Sequence, residues 1–137
     1  MNPILLSLGE IIEIHRDQIK RYGGMPGIRD MGLLKSALAM PSAGFGECYV
    51  HNDLFEMAAA YLFYIISNHP FVDGNKRTGT VAAVVFLDIN GIDLNVNEQT
   101  FEEMVISVAE GKASKSSVAN FFRNNSIKQK PQHFNAN

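Results

Sequence analysis

Ile4, Leu8, Ile11, Ile12 and Ile19, with His15 on the same stripe, recur at helical spacing, so the residues after Pro3 read as an amphipathic helix ending at Gly23-Gly24. A Met-Pro-Gly loop follows. Asp30 suits the N-cap of a short helix carrying Leu33, Leu34, Ala37 and Leu38, which Pro41 terminates. From Pro41 to Asn52 the chain is rich in Gly and Ser without a helical stripe and reads as a mobile loop or flap. Asp53 followed by Glu56 resembles a capping box, and the apolar face of Leu54, Met57, Ala58, Tyr61, Leu62, Ile65 and Ile66 continues to about Asn68. That helix delivers His69 at its end.

The next helix opens near Asn75 and ends at Asn90-Gly91. It is apolar nearly all round through Val81, Ala82, Val84, Val85, Phe86 and Ile89, which predicts the buried centre of a bundle. The β-branched content of Val81 to Val85 also suits a strand, and length decides for helix. Asn97 caps a further helix with Phe101, Met104, Val105 and Val108 inward, ending at Gly111. Ser114 or Ser116 starts the last, with Val118, Phe121 and Phe122 inward. The expected fold is a compact all-α helical bundle with a buried central helix. Its active-site loop lies between the two central helices, near the flap.

At 137 residues and 46% hydrophobic content the chain forms one core without metals or disulfides. A single domain over residues 1–125 is expected, with a polar, loosely ordered tail over 126–137. The formal net charge of −2 gives no whole-protein attraction to nucleic acid or anionic lipid. Cys48 is the sole cysteine, so no internal disulfide and no zinc cluster forms. The longest apolar stretch, Val81 to Leu87, is too short to span a bilayer, and the N-terminus lacks the pattern of a signal peptide. These features predict a soluble, cytoplasmic protein with no direct nucleic-acid or membrane partner.

The chemistry concentrates in His69-Pro70-Phe71-Val72-Asp73-Gly74-Asn75-Lys76-Arg77. A turn through Gly74-Asn75 into a helix aims unpaired backbone N–H groups at an anion, reinforced by a dipole of about half a positive charge. Lys76 and Arg77 add full charges, and Asp73 can hold a magnesium ion bridging phosphate oxygens. His69 is the natural general base, and Phe71 is a packing anchor for the loop. Taken singly, each residue is better explained as a helix stop, a turn or a solvated cation. Together they describe a nucleotide phosphate site. A P-loop is excluded, since His69 stands where that motif needs glycine.

This nonapeptide resembles the H-x-F-x-[DN]-[GA]-N-K-R signature of the death-on-curing (Doc) branch of the Fic family. The resemblance extends in order through Ile14-His15, Arg21-Tyr22-Gly23-Gly24-Met25-Pro26-Gly27, Asp53-Leu54-Phe55-Glu56, Phe86-Leu87 and Asn90-Gly91, covering roughly residues 10 to 123. AMP-transferring Fic relatives carry glycine where this chain has Lys76 and arginine where it has Thr80. A lysine fills space that glycine leaves for phosphate, and loss of the second arginine removes a bidentate clamp.

In Doc proteins the same lysine accompanies reversed ATP, so the resemblance implies a Mg²⁺-dependent toxin kinase. It would transfer the γ-phosphate of ATP to a hydroxyl, a threonine of a translation factor with elongation factor Tu the leading candidate, and so arrest translation. His69 would be catalytic. Gly74, Asn75, Lys76 and Arg77 would bind phosphate, and Asp73 the metal. An AMP transferase and an inactive partner-binding module stay open.

The resemblance further implies an antitoxin whose flexible segment covers the active site. Self-restraining Fic enzymes carry [ST]-x-x-x-E-[GN]; here Glu110-Gly111 fits, but Ile106 occupies the Ser/Thr position. A separate inhibitory partner is therefore expected. His15 reads as a packed, hydrogen-bonded histidine, Asp53 as a cap, and His51 as a residue flanking the flap. Arg29 and Asp30 are expected to pair locally.

Overall fold

The computed structural model describes residues 2–45, 48–49 and 53–129. Its first helix, α1 (Leu8–Tyr22), begins later than the apolar stripe suggested. Ser7 and Glu10 close a reciprocal capping box there, and Ile4 to Leu6 precede the helix without regular structure. That lead-in is nonetheless fixed. Tyr61 Oη accepts from the Leu6 N–H at 2.9 Å and donates to the Leu6 carbonyl at 3.3 Å, while Asn90 Oδ1 accepts from the Ile4 N–H at 2.8 Å.

Asp30 caps α2 (Met31–Ala39) through the Leu33 N–H, and Asp53 caps α3 (Leu54–Asn68) through the Glu56 N–H, both as their sequence positions require. Asp53 also pairs with Arg123 at 2.7 Å, which ties the start of α3 to the last helix. Between α2 and α3 the expected flap contains a two-stranded antiparallel ladder, β1 (Gly44–Phe45) with β2 (Cys48–Tyr49). Residues 46, 47 and 50–52, His51 among them, lie outside the described residues.

Helix α3 occupies the centre and packs against α2, α4 (Asn75–Ile89), α5 (Glu98–Ala109) and α6 (Lys115–Asn124). Its run from Met57 to Leu62 is buried on every side, because Ala58, Ala59 and Ala60 let neighbouring helices approach all round. This corrects the expectation that α4 would be the central helix. Val84 and Ile89 of α4 are exposed, and its buried stripe is Thr78, Gly79, Ala82, Ala83, Phe86 and Leu87. The segment Val81 to Val85 is helical all the same.

The contact between α3 and α4 is set by Gly79. A methyl group added there would stand 3.2 Å from the Leu62 carbonyl oxygen and 3.3 Å from Ile66 Cγ1, so the backbones touch. Below this contact Tyr61 and Phe86 pack with ring centroids 5.2 Å apart, and each fully buried side chain of this size contributes about 1.5–3 kcal/mol. The Tyr61 hydroxyl titrates above its ordinary value, chiefly because it is buried.

Asn97 and Ser114 cap α5 and α6 as expected. After α6 the chain forms β4 (Ser126–Lys128), antiparallel to β3 (Ile92–Leu94), and the Gln129 N–H donates to the Gly91 carbonyl. Residues 126–129 thus belong to the domain, beyond the boundary expected at 125. Residues 130–137 lie outside the described residues. Among the described residues no helix is long and apolar enough to cross a membrane.

Candidate active site

Helix α3 ends at His69, which takes the left-handed conformation with φ 50° and ψ 53°. For a residue with a β-carbon this geometry costs about 1–2 kcal/mol and persists only when the surroundings hold it. Arg29 supplies that hold. Its Nε donates to the His69 carbonyl at 2.7 Å and its Nη2 to the Asn68 carbonyl at 3.1 Å, satisfying two acceptors at the helix end. Arg29 therefore does not pair with Asp30, which is spent on capping α2. The imidazole of His69 itself is exposed.

The loop from Pro70 to Asp73 is pinned to the segment after α1. The Pro70 carbonyl accepts from the Arg29 and Asp30 N–H groups at 2.7 and 3.0 Å, and the Val72 N–H donates to the Gly27 carbonyl at 3.0 Å. Phe71 is fully buried, as its reading as an anchor requires, and lies flat on the His15 ring with centroids 3.8 Å apart and planes 6° from parallel. From the other side the Asn75 carboxamide grips both polar groups of the Phe71 backbone. This side chain is a brace for the loop, and what it leaves for an anion is its own backbone N–H.

Gly74, with φ 79°, begins α4 without a side-chain cap. A β-carbon there would lie 3.1 Å from Ile19 Cδ1, so both conformation and space select glycine. The first intrahelical bond runs from the Thr78 N–H to the Gly74 carbonyl at 2.9 Å, which leaves the preceding amides at the positive end of the helix dipole. Lys76 is exposed beside them. Arg77 is turned toward α1: Nη1 donates to the Gln18 carbonyl at 3.3 Å, Nη2 to the Gly23 carbonyl at 2.9 Å, and the guanidinium lies over the Tyr22 ring. Its charge stays at the site while its donors serve the backbone of α1.

Asp73 stands at the rim. Its carboxylate accepts from the Met25 N–H at 3.2 Å and from the Gly74 N–H at 2.9 Å, and these bonds, in that order, hold its pKa below the ordinary value, with Arg77 and His15 adding to the effect. Gly24 makes room for this arrangement, since a β-carbon there would come within 2.8 Å of Asp73 Oδ2. The carboxylate is thereby presented ionised and exposed, as a hard cation shared with phosphate oxygens needs. Among the described residues no cluster of three or more His, Cys, Asp or Glu side chains could hold a metal by itself.

A cleft of about 510 Å³ joins these groups: His69 and every residue from Asp73 to Arg77 line it, with Ile66 and Ala109 completing the wall. The six residues singled out in the sequence, Gly74 and five polar ones, thus meet at one cavity, with Phe71 buried beneath. Sequence reading missed Arg29, the Met25 amide and the part taken by His15. The glycines at 23, 24 and 27, all at positive φ, were the available signal that chain passes closely here.

The fold and the site together define a class: an all-α protein in which one helix end brings a histidine to the uncapped N-terminus of the next helix. Residues 5–87 match the model of the Fic/DOC family. The chain is 35% identical over 118 residues to "Protein kinase doc" of Escherichia phage P1, covering 86% of this chain and 92% of that protein. It is 38% identical over 100 residues to "Toxin Doc" of Mycolicibacterium smegmatis, covering 72% of this chain and 77% of that protein. The chain belongs to the Fic/Doc family.

Proposed function

We propose that this chain is a Doc-type toxin that uses Mg²⁺-bound ATP to phosphorylate a hydroxyl of a protein. The carrying observation is the shared cleft, in which His69 faces the uncapped start of α4 with Lys76, Arg77 and Asp73 around it. The printed names of the two relatives, a kinase and a toxin, support the same reading.

In this reading His69 accepts the proton of the attacking hydroxyl, a role worth about 10²- to 10⁴-fold in rate. The hydroxyl oxygen bonds to the γ-phosphorus, the bond from that phosphorus to the bridging oxygen breaks, and ADP departs. The amides of residues 75 and 76 and the Lys76 ammonium compensate the phosphate charge, with the Gly74 N–H held by Asp73, and Arg77 adds its field from where α1 holds it. Asp73 would hold Mg²⁺, which supplies charge neutralisation across the phosphates.

Transfer of the γ-phosphate rather than AMP is favoured by two residues. Lys76 fills cleft space beside the helix start, and Thr80 has its hydroxyl spent on the Lys76 carbonyl at 2.8 Å, so no second clamp for phosphate stands one turn on. Control by a separate antitoxin fits Glu110, which ends α5 and pairs with Lys112 at 3.1 Å instead of reaching Arg77. A threonine of a translation factor, with elongation factor Tu foremost, is the target that the resemblance to Doc suggests.

The test is incubation of the protein with a bacterial lysate and ATP labelled at either phosphate. Label from the γ-position, and none from the α-position, should appear on a protein, and His69→Ala should abolish it. Transfer of α-label would establish an AMP transferase. Growth arrest that survives His69→Ala would establish a binding module.

A further inference from the structure

His15 lies 58 residues from the loop in sequence, yet its Nε2 is 2.8 Å from the Asp73 carbonyl oxygen. A carbonyl only accepts, so Nε2 carries the proton and the ring donates. The residue is 5% exposed, and its ring face is occupied by Phe71. A phenylalanine could make that stack equally well. What imidazole adds is one donor, directed at the residue whose carboxylate stands on the cleft rim.

The same helix face serves the site twice more. Ile19, one turn on, bounds Gly74, and the Gln18 carbonyl accepts from Arg77. With the Met25 N–H on its carboxylate and His15 on its carbonyl, Asp73 is gripped at both ends by α1 and the segment that follows it.

We propose that His15 is a positioning residue, which fixes the Asp73 peptide through its Nε2–H and so sets the place of the carboxylate that binds the divalent cation. This rests on the reading of Asp73 as the metal ligand. Groups that orient a ligand from behind typically change metal affinity by about 10- to 100-fold when removed.

Two substitutions separate the donor from the ring. His15→Phe keeps the stack on Phe71 and deletes the donor, whereas His15→Gln can place an amide N–H near the Asp73 carbonyl and deletes the ring. Mn²⁺ bound in the presence of a nonhydrolysable ATP analogue, measured by electron paramagnetic resonance on the full chain, reads cation affinity without turnover. Thermal unfolding reports folding separately.

His15→Phe should remain folded and weaken Mn²⁺ binding about ten-fold, with phosphate transfer recovering at saturating metal. His15→Gln should bind Mn²⁺ within about three-fold of wild type even if it unfolds at lower temperature, because an outer donor is retained. Asp73→Asn is the control. Should Asp73→Asn lose Mn²⁺ while His15→Phe binds normally, or should both His15 variants lose it equally, the positioning role is overturned alone. Equal Mn²⁺ affinity in wild type and Asp73→Asn overturns the metal assignment and this proposal together.

Discussion

The carboxamide of Asn75 holds the backbone of Phe71 by both its polar groups: Oδ1 accepts from the Phe71 N–H and Nδ2 donates to the Phe71 carbonyl, each at 3.0 Å. The first turn of α4 and the loop that carries Asp73 are thus one unit. Asn75→Ala leaves two buried backbone groups unpaired, at about 1–3 kcal/mol each. The variant should melt at lower temperature and lose transfer activity. Asn75→Asp should fail similarly, because a second acceptor then confronts the Phe71 carbonyl, and calorimetry with a labelled-phosphate assay checks both.

Arg29 offers a way to disturb His69, the proposed general base, without touching it. Arg29→Met removes the donors to the Asn68 and His69 carbonyls, so the left-handed turn at His69 loses its hold. Turnover should fall on the order of ten-fold, since misplacement of a reacting group is costly, while ATP affinity changes little. Arg29→Lys should not restore the rate, because a single ammonium cannot reproduce the planar fork. Steady-state kinetics with varied ATP distinguishes these outcomes.

Neighbouring positions in α4 should respond in opposite directions. Gly79→Ala drives a methyl toward the Leu62 carbonyl and Ile66, and should destabilise by about 1–3 kcal/mol. The Thr78 hydroxyl is buried with no hydrogen-bond partner in the described structure, so Thr78→Val should raise stability by about 1 kcal/mol. Denaturant unfolding of both variants measures the signs.

Glu10 provides a pH signature for the start of α1. Its carboxylate accepts from the Ser7 N–H at 2.8 Å, and that bond, with the Ser7 hydroxyl, holds its pKa below the ordinary carboxylate value. A depressed acid stabilises the fold fully above its unfolded pKa and ceases to do so as pH falls through the folded one. The difference in melting temperature between wild type and Glu10→Gln should therefore be constant near neutrality and vanish in strong acid. Paired melts from pH 7 to pH 2 test it.

What the sequence made legible was local. Asp30, Asp53, Asn97 and Ser114 each meet the amide three residues on, a relation set by helix geometry alone, and the helices they open begin where expected. The polar residues of the site were equally visible, because they sit within nine consecutive positions. Their division of labour was not. Asn75 spends its carboxamide on the Phe71 backbone inside the motif, while Arg77 leans on carbonyls at Gln18 and Gly23 that no spacing rule connects to it. Strands β3 and β4 have three residues each and lie far apart in sequence, too short to carry an alternating pattern. The central helix was misassigned because the bulk of Val81 to Val85 outweighed the small residues at 58 to 60, whose lack of bulk is what admits neighbours on all sides.

The backbone contact at Gly79 has a mechanical implication for the reaction. One end of the His69 loop is continuous with α3 and the other with α4, and these two helices touch about one turn beyond the start of α4. In the proposed reaction the helix pair would then act as a ruler that sets the reach from imidazole to phosphate, and a long side chain such as Lys76 would adapt to the nucleotide.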